Sequence, residues 1–190
     1  MPFFIYLCFM SSIKYLPNYT VEDYNRWEGD WELIDGIPYA MSPSPVRRHQ
    51  KLAMALSLQI GNSINSQKEK CGNCEAFYEL DWVVSNNTVL CPDIAISCND
   101  TGDFMSVPPV LIIEILSPST ALKDRHVKFD IYRTRGVKYY IIIDPNTKIR
   151  QVYLLTDGDY LQQGDITAFI IHDNCTVELN LEKALAELED

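Results

Sequence analysis

Positive charge is scarce in this chain. Lys and Arg together number 16 against 26 Asp and Glu, which gives 190 residues a formal net charge of -10. A simple DNA-binding protein gains much of its affinity from basic side chains that release counterions from phosphates. The composition therefore argues against binding of nucleic acid by overall charge, although a local basic patch or a metal ion on an acidic protein can still attract phosphate.

The chain also lacks a long apolar run. Its apolar start, residues 1–10, is too short to span a bilayer and has neither the basic beginning nor the cleavage site of a secretory signal. We expect residues 1–18 to form an N-terminal extension and residues 19–190 to form a single domain. We also expect a cytoplasmic protein with no membrane partner.

Several well-known enzyme signatures are missing. The sequence contains no Walker A phosphate loop, no GxGxxG, no GxSxG and no HExxH. It also lacks the aromatic and basic stripe of an RNA-binding sheet. These absences leave isolated carboxylates as the most informative candidates for chemistry.

Six cysteines are present, at positions Cys8, Cys71, Cys74, Cys91, Cys98 and Cys175. A domain of this size without a secretory pattern does not need disulfides, so we expect reduced thiols. Cys71 and Cys74 form a lone CxxC pair. A zinc site there would need two more ligands, which Cys91 and Cys98 could supply only if the fold brought them close.

Hydrophobic periodicity predicts a mixed α/β sheet with helices packed on it. Thr20 is expected to cap a short helix, and Asp35-Gly36 to turn a hairpin. Further helices are predicted over 46–66, 120–135 and 181–188, and strands over 77–84, 89–96, 110–116, 139–143 and 151–155, with another hairpin strand from 160. The segment 110–143 is expected to be a right-handed crossover between parallel strands.

Two carboxylates stand out in this pattern. Glu114 is the only charge in the apolar run 110–116, and Asp93 follows Pro92 inside the predicted strand 89–96. A buried carboxylate without a partner costs several kcal/mol or takes up a proton. Glu114 therefore needs either a divalent cation, for which Mg²⁺ is suited, or an Arg or Lys from the neighbouring helix. The spacing leaves both open.

The order of the motifs resembles the Uma2 (DUF820) family of restriction-endonuclease-like proteins, which is abundant in cyanobacteria. The resemblance covers roughly residues 19–155. It is carried by segments 19–24, 31–36, 41–45, 92–93, 114–120, 136–140 and 144–145, together with His49, Lys128 and Tyr132. Each motif is weak alone, and the order and spacing make the set specific.

That family is placed in the PD-(D/E)XK nuclease superfold. The resemblance implies an α/β (α+β), restriction-endonuclease-like mixed β-sheet flanked by helices. It further implies a homodimeric endonuclease that uses Mg²⁺ or Mn²⁺ to hydrolyse nucleic acid, with DNA as the expected substrate. Asp93, Glu114 and the carbonyl of Ile115 would hold the metal.

The usual superfold lysine is absent, because the position two residues after Glu114 is Leu116. The resemblance places the amine on the following helix, at Lys128, with Lys123 as the alternative. Either could instead be an ordinary solvated lysine. The displaced lysine and the acidic charge favour the alternative function, a catalytically inactive nuclease-fold protein that binds or assembles.

Glu32 and His49 complete the predicted set of catalytic residues. The resemblance implies that Glu32 adds a carboxylate from the hairpin and that His49 assists proton transfer or holds a phosphate. Each has an ordinary interpretation as well, an exposed strand residue for Glu32 and, for His49, a surface residue or a residue of a helix's first turn. Arg47 and Arg48 are candidates for phosphate contact or for a solvated first turn.

Overall fold

The computed structural model describes residues 16–41, 46–164 and 166–188. Residues 1–15 of the predicted extension, including Cys8, lie outside these ranges, as does the segment 42–45 that contributes to the family resemblance. Within the described ranges, no helix combines the length and the apolar character needed to cross a membrane.

The helices and strands alternate along the chain much as the periodicity predicts. The helices are α1 (Val21–Tyr24), α2 (Arg47–Ser66), α3 (Lys68–Cys71), a π-helical segment (Lys123–Lys128) that continues into α4 (Phe129–Thr134), and α5 (Leu181–Ala186). The strands are β1 (Trp31–Ile34), β2 (Ile37–Ala40), β3 (Cys74–Tyr78), β4 (Trp82–Ser85), β5 (Thr88–Leu90), β6 (Ile94–Cys98), β7 (Leu111–Ile115), β8 (Tyr139–Ile143), β9 (Arg150–Thr156), β10 (Asp159–Gln163), β11 (Ala168–His172) and β12 (Cys175–Glu178).

The strands form three sheets. A six-stranded sheet has the order β10-β9-β8-β7-β6-β3, a four-stranded sheet the order β2-β1-β5-β4, and β11 pairs with β12. Within the six-stranded sheet only β7 and β8 run parallel, joined by the π-helical segment and α4. This confirms the mixed sheet and the parallel strands predicted over 110–143.

Alternation along β7 sends its side chains into two separate apolar clusters. Ile113 and Ile115 pack with α2, β12 and α5, whereas Ile112 packs with residues of the four-stranded sheet and α4. Glu114 lies two residues after Ile112 and points to the same face of the sheet, because successive side chains of a strand point to opposite faces. The carboxylate therefore enters the layer between the six-stranded sheet and the four-stranded sheet.

Two predicted strands are each divided in the structure. The run 89–96 becomes β5 in one sheet and β6 in the other, with Asp93 in the bend between them. Pro92 cannot donate a ladder hydrogen bond, which explains the break. The run 77–84 is divided by Glu79, which adopts a positive φ of 47°. The expectation that Asp93 lies within a strand is therefore wrong.

The prediction of reduced thiols is wrong for four cysteines. Cys71 is bonded to Cys175 and Cys74 to Cys98, while Cys91 is free and buried. Cys74 and Cys98 are direct partners in the antiparallel β3–β6 pair, with Cα atoms 3.9 Å apart. The two cysteines of the CxxC pair thus form disulfides with different strands, and Cys91 takes part in neither bond. The β11–β12 hairpin that carries Cys175 was missed by the periodicity.

Candidate active site

A buried ammonium group lies between two carboxylates from different sheets. Lys128 Nζ is 2.8 Å from Glu32 Oε1 and 2.9 Å from Glu114 Oε1. Glu32 comes from β1, Glu114 from β7, and all three side chains are at most 3% exposed. Lys128 therefore joins the two sheets at a single charged point inside an apolar layer.

A second lysine reaches the same cluster from the other end of the π-helical segment. Lys123 Nζ donates a hydrogen bond to Glu32 Oε2. Asp124 Oδ1 lies 3.6 Å from Lys128 Nζ, and Asp124 is buried. Lys128 is thus the lysine that contacts both Glu32 and Glu114, whereas Lys123 contacts Glu32 and is partly exposed.

The π-helical turn explains how both lysines contact one carboxylate. In a regular α-helix, residues five apart are displaced by about 140° around the axis, because each residue turns by about 100°. The wider turn over Lys123–Lys128 brings the fifth residue closer to the same face. Single wide turns of this kind occur frequently at functional sites. The local geometry of the helix therefore decides which side chains meet Glu32.

Burial governs the ionisation of the cluster. Desolvation, together with the charges of Asp124 and Asp93, raises the pKa of Glu114 well above its ordinary value, despite the opposing effect of Lys128. Desolvation disfavours the ammonium of Lys128, but Glu114 and Glu32 outweigh it and raise its pKa well above 10.5. One ammonium cannot neutralise all its acidic neighbours, and this excess of negative charge contributes to the raised pKa of Glu114.

Glu32 is the carboxylate that stays ionised. Burial opposes its charge, yet Lys128 and Lys123 lower its pKa below the ordinary value of 4.5. The backbone N–H of Cys91 also donates to Glu32 Oε1, at 3.1 Å. Glu32 is fully buried, so its interpretation as an exposed strand residue is wrong.

Asp93 is held from two sides at the edge of the cluster. Its Oδ2 accepts a hydrogen bond from the Ile115 N–H at 2.6 Å and lies 3.2 Å from His49 Nε2 in the first turn of α2. Burial disfavours the imidazolium, but the hydrogen bond and charge of Asp93 outweigh this and raise the pKa of His49. His49 is only 5% exposed, so it is not a surface residue, although it does lie in the first turn of a helix.

Asp93 and Glu114 lie next to each other across the β6–β7 pair. Ile94 is the register partner of Ile113 in this antiparallel pair, so Asp93, just before Ile94, lies beside Glu114, just after Ile113. The charge of Asp93 contributes to the raised pKa of Glu114, as expected for neighbouring carboxylates. The two residues that are predicted to share a cation are therefore neighbours in the fold.

Comparison with known proteins identifies the family. The model of the Uma2 family, described as "Putative restriction endonuclease", matches residues 21–185. The chain belongs to the Uma2 family. An uncharacterized Synechocystis protein, slr1290, is 28% identical over 155 residues, covering 76% of this chain and 79% of the relative.

A solved structure shares the fold. The crystal structure of a "putative nuclease belonging to DUF820" from Anabaena variabilis superposes with a TM-score of 0.70 at 17% identity, covering 90% of this chain and 99% of that chain. At this level of identity the similarity shows a common fold. Uma2 membership supports a nuclease.

The structure brings together the residues predicted for a Uma2 site. Lys128 contacts both Glu32 and Glu114, and Asp93, which contacts His49, lies beside Glu114. Within the described residues, no three His, Cys, Asp or Glu side chains are arranged to hold a metal ion. Arg47 and Arg48 are exposed, and Arg48 contacts the Pro145 carbonyl, which fits a solvated first turn.

Two members of the cluster were not predicted as site residues. Asp124 lies one helical turn before Lys128, and this i, i+4 spacing of acid and lysine was a signal that could have found it. Tyr132 was part of the family resemblance without an assigned role. Its hydroxyl donates to Glu114 Oε1 at 2.7 Å, and its ring packs against Tyr140 and Trp82.

Tyr132→Phe is expected to lower the free energy of unfolding by about 1.5–3 kcal/mol, because a hydrogen bond to a buried carboxyl is lost while the ring packing is kept. Urea denaturation measures the change. Tyr160→Phe is the matched control, since its hydroxyl donates at 2.8 Å to a neutral acceptor, the Val137 carbonyl. That variant should lose about 1 kcal/mol. Equal losses in both variants would contradict a special role for the Glu114 contact.

Proposed function

We propose that this Uma2 protein is an endonuclease that depends on Mg²⁺ or Mn²⁺ and hydrolyses phosphodiester bonds of nucleic acid, DNA being the expected substrate. Asp93 and Glu114 would hold the cation, with the Ile115 carbonyl as a third protein ligand. Glu32, Lys128 and His49 would complete the catalytic set. The PD-(D/E)XK superfold is the framework in which these roles are assigned.

The imbalance of buried charge carries this proposal. Four carboxylates meet at the site, from Glu32, Asp93, Glu114 and Asp124, against the two ammonium groups of Lys123 and Lys128. With His49 neutral, ionisation of all of them leaves an excess of two negative charges, which a divalent cation matches. Two carboxylates, a carbonyl and waters form the kind of oxygen-rich set that Mg²⁺ accepts.

Unsatisfied polar atoms point in the same direction. Among the described residues, four buried side-chain atoms have no hydrogen-bond partner, and two of them, Asp124 Oδ1 and His49 Nδ1, belong to the site; the others are Ser57 Oγ and Ser97 Oγ. Buried polar atoms without partners are rare in native proteins and often mark a place for an ion or water. Both atoms belong to side chains in direct contact with the proposed catalytic residues, Asp124 with Lys128 and His49 with Asp93.

Each side chain has a defined task in this proposal. A bound divalent cation supplies positive charge for the phosphate and lowers the pKa of a coordinated water. Lys128 contributes an ammonium that stabilises negative charge developing on the phosphate oxygens. Tyr132 orients Glu114, and the Ile115 N–H and His49 orient Asp93. His49 is also placed to move a proton at Nε2.

Cleavage of supercoiled plasmid in Mg²⁺ or Mn²⁺ tests the proposal. Mutation of a residue that supports a metal ligand typically lowers metal affinity or activity by about 10–100-fold. Glu114→Gln and Asp93→Asn change the proposed ligands themselves, so they are expected to lower the cleavage rate by about 100-fold or more. Glu75→Gln, which removes an exposed carboxylate from β3, should cleave like the wild type. Mn²⁺ should also raise the melting temperature of the wild type but not of Asp93→Asn.

The ion pairs around Lys128 favour one alternative, a nuclease-fold protein that binds or assembles without catalysis. Lys128 already satisfies Glu32 and Glu114, as the salt-bridge interpretation of the sequence requires. Absence of cleavage and of any Mn²⁺ effect in the wild type would support this alternative. Equal cleavage by wild type and Glu114→Gln would reveal a contaminant and overturn the assignment. The proposed homodimer is tested separately, by light scattering.

A further inference from the structure

An aromatic cavity lies next to the charged cluster but outside it. The cavity has a volume of about 230 Å³, and its walls include Tyr24, Trp27, Trp31 and Phe104. The Asp81 carboxylate also lines it. None of these residues has a part in the proposed hydrolysis.

Three of the rings pack against one another edge to face. The Tyr24 and Trp27 rings are 5.5 Å apart with an interplanar angle of 61°, and the Trp27 and Trp31 rings are 5.8 Å apart at 65°. Phe104, from the loop after β6, is 50% exposed and leaves one side accessible from solvent. A cavity lined by several aromatic rings suits a compact cation, because a ring face carries negative partial charge.

The Asp81 carboxylate gives the cavity a negative charge. Tyr24 Oη donates to Asp81 Oδ2 at 2.8 Å, which fixes the carboxylate against the aromatic wall. Burial, with Glu32 and Asp30 contributing, raises the pKa of Asp81, so an arriving cation would relieve unfavourable negative charge. Among the described residues that line the cavity, none is basic. Arg26, which is nearby in sequence, is paired with Glu22.

We propose that this cavity binds an organic ammonium ion, such as a methylated amine, among the rings of Trp27, Trp31 and Phe104 and beside the Asp81 carboxylate. The same rings could stack on a nucleobase. A nucleotide would, however, bring its phosphate towards Asp81 and Asp30 without a basic side chain among the lining residues. Charge complementarity therefore favours the cation. This inference does not depend on the proposed hydrolysis, and either can fail alone.

Tryptophan fluorescence of the whole protein tests the inference with tetramethylammonium as the probe. Two of the three tryptophans line the cavity, whereas Trp82 is buried elsewhere, 1% exposed. tert-Butanol is the neutral control of similar shape. Tetramethylammonium should bind at least about 10-fold more tightly than tert-butanol, given the usual strength of desolvated cation–π contacts.

Variants distinguish binding in the cavity from a general attraction of cations to an acidic protein. Asp81→Asn and Phe104→Leu should each weaken tetramethylammonium binding several-fold. Asp103→Asn removes the same charge from an exposed position beside Phe104 and should leave binding unchanged. Phe104→Leu keeps the test valid if Asp81→Asn fails to fold. Three results would overturn the inference: equal affinity for the two probes, equal effects of Asp81→Asn and Asp103→Asn, or tighter binding of deoxyguanosine monophosphate than of tetramethylammonium.

Discussion

Lys128→Met is expected to lower the free energy of unfolding by about 3–5 kcal/mol, the usual effect of breaking a buried ion pair. The substitution keeps an unbranched apolar chain of similar length but leaves Glu32 and Glu114 without the ammonium that both contact. It should also abolish metal-dependent cleavage, since the same amine is the proposed stabiliser of the phosphate charge. Urea denaturation and plasmid nicking measure the two effects.

Lys123→Met provides the matched comparison. This lysine contacts Glu32 but is partly exposed, with 15% of its side chain accessible, so water can replace it. Its loss should cost clearly less than that of Lys128. Glu114→Gln added to Lys128→Met should recover part of the stability, because one of the two unpaired carboxylates is then neutral. A Lys128→Met protein as stable as the wild type would show that the buried cluster is not as described.

Removal of the Cys71–Cys175 disulfide is the second large expected effect. The bond spans 104 residues, and loop-closure entropy predicts a loss of about 4–5 kcal/mol for Cys71→Ala/Cys175→Ala. The Cys74–Cys98 bond spans 24 residues, so Cys74→Ala/Cys98→Ala should lose about 3–4 kcal/mol. Urea denaturation of the oxidised proteins measures both.

A reducing agent gives the internal control. Reduced wild type should be less stable than oxidised wild type by about the sum of these losses. The Cys71–Cys175 bond, which closes the longer loop, should account for the larger part of that sum. Each double variant should respond to reduction only through its remaining disulfide. If thiol titration of the native protein found all the cysteines free, and reduction left its stability unchanged, the pairing would be refuted.

Local sequence pattern was sufficient for most of the elements. Thr20 and Asp23 form the predicted capping box, and Asp35 and Gly36 both adopt the positive φ of the predicted turn. The helix predicted over 46–66 is observed as Arg47–Ser66. These features depend on interactions between residues close in sequence, such as caps, turn conformations and helical periodicity. A linear pattern can therefore specify them.

The sequence by itself determined the apolar strand around Glu114, the need of that carboxylate for a partner, and the order of motifs that places the chain in the Uma2 family. Only the tertiary structure decided which partner it has. The contacts of Lys123 and Lys128 with Glu32, the contact of Asp93 with His49, and the cysteine pairing all join segments far apart in the chain. Contacts of this kind are set by how sheets and helices pack, and local periodicity carries no record of that packing.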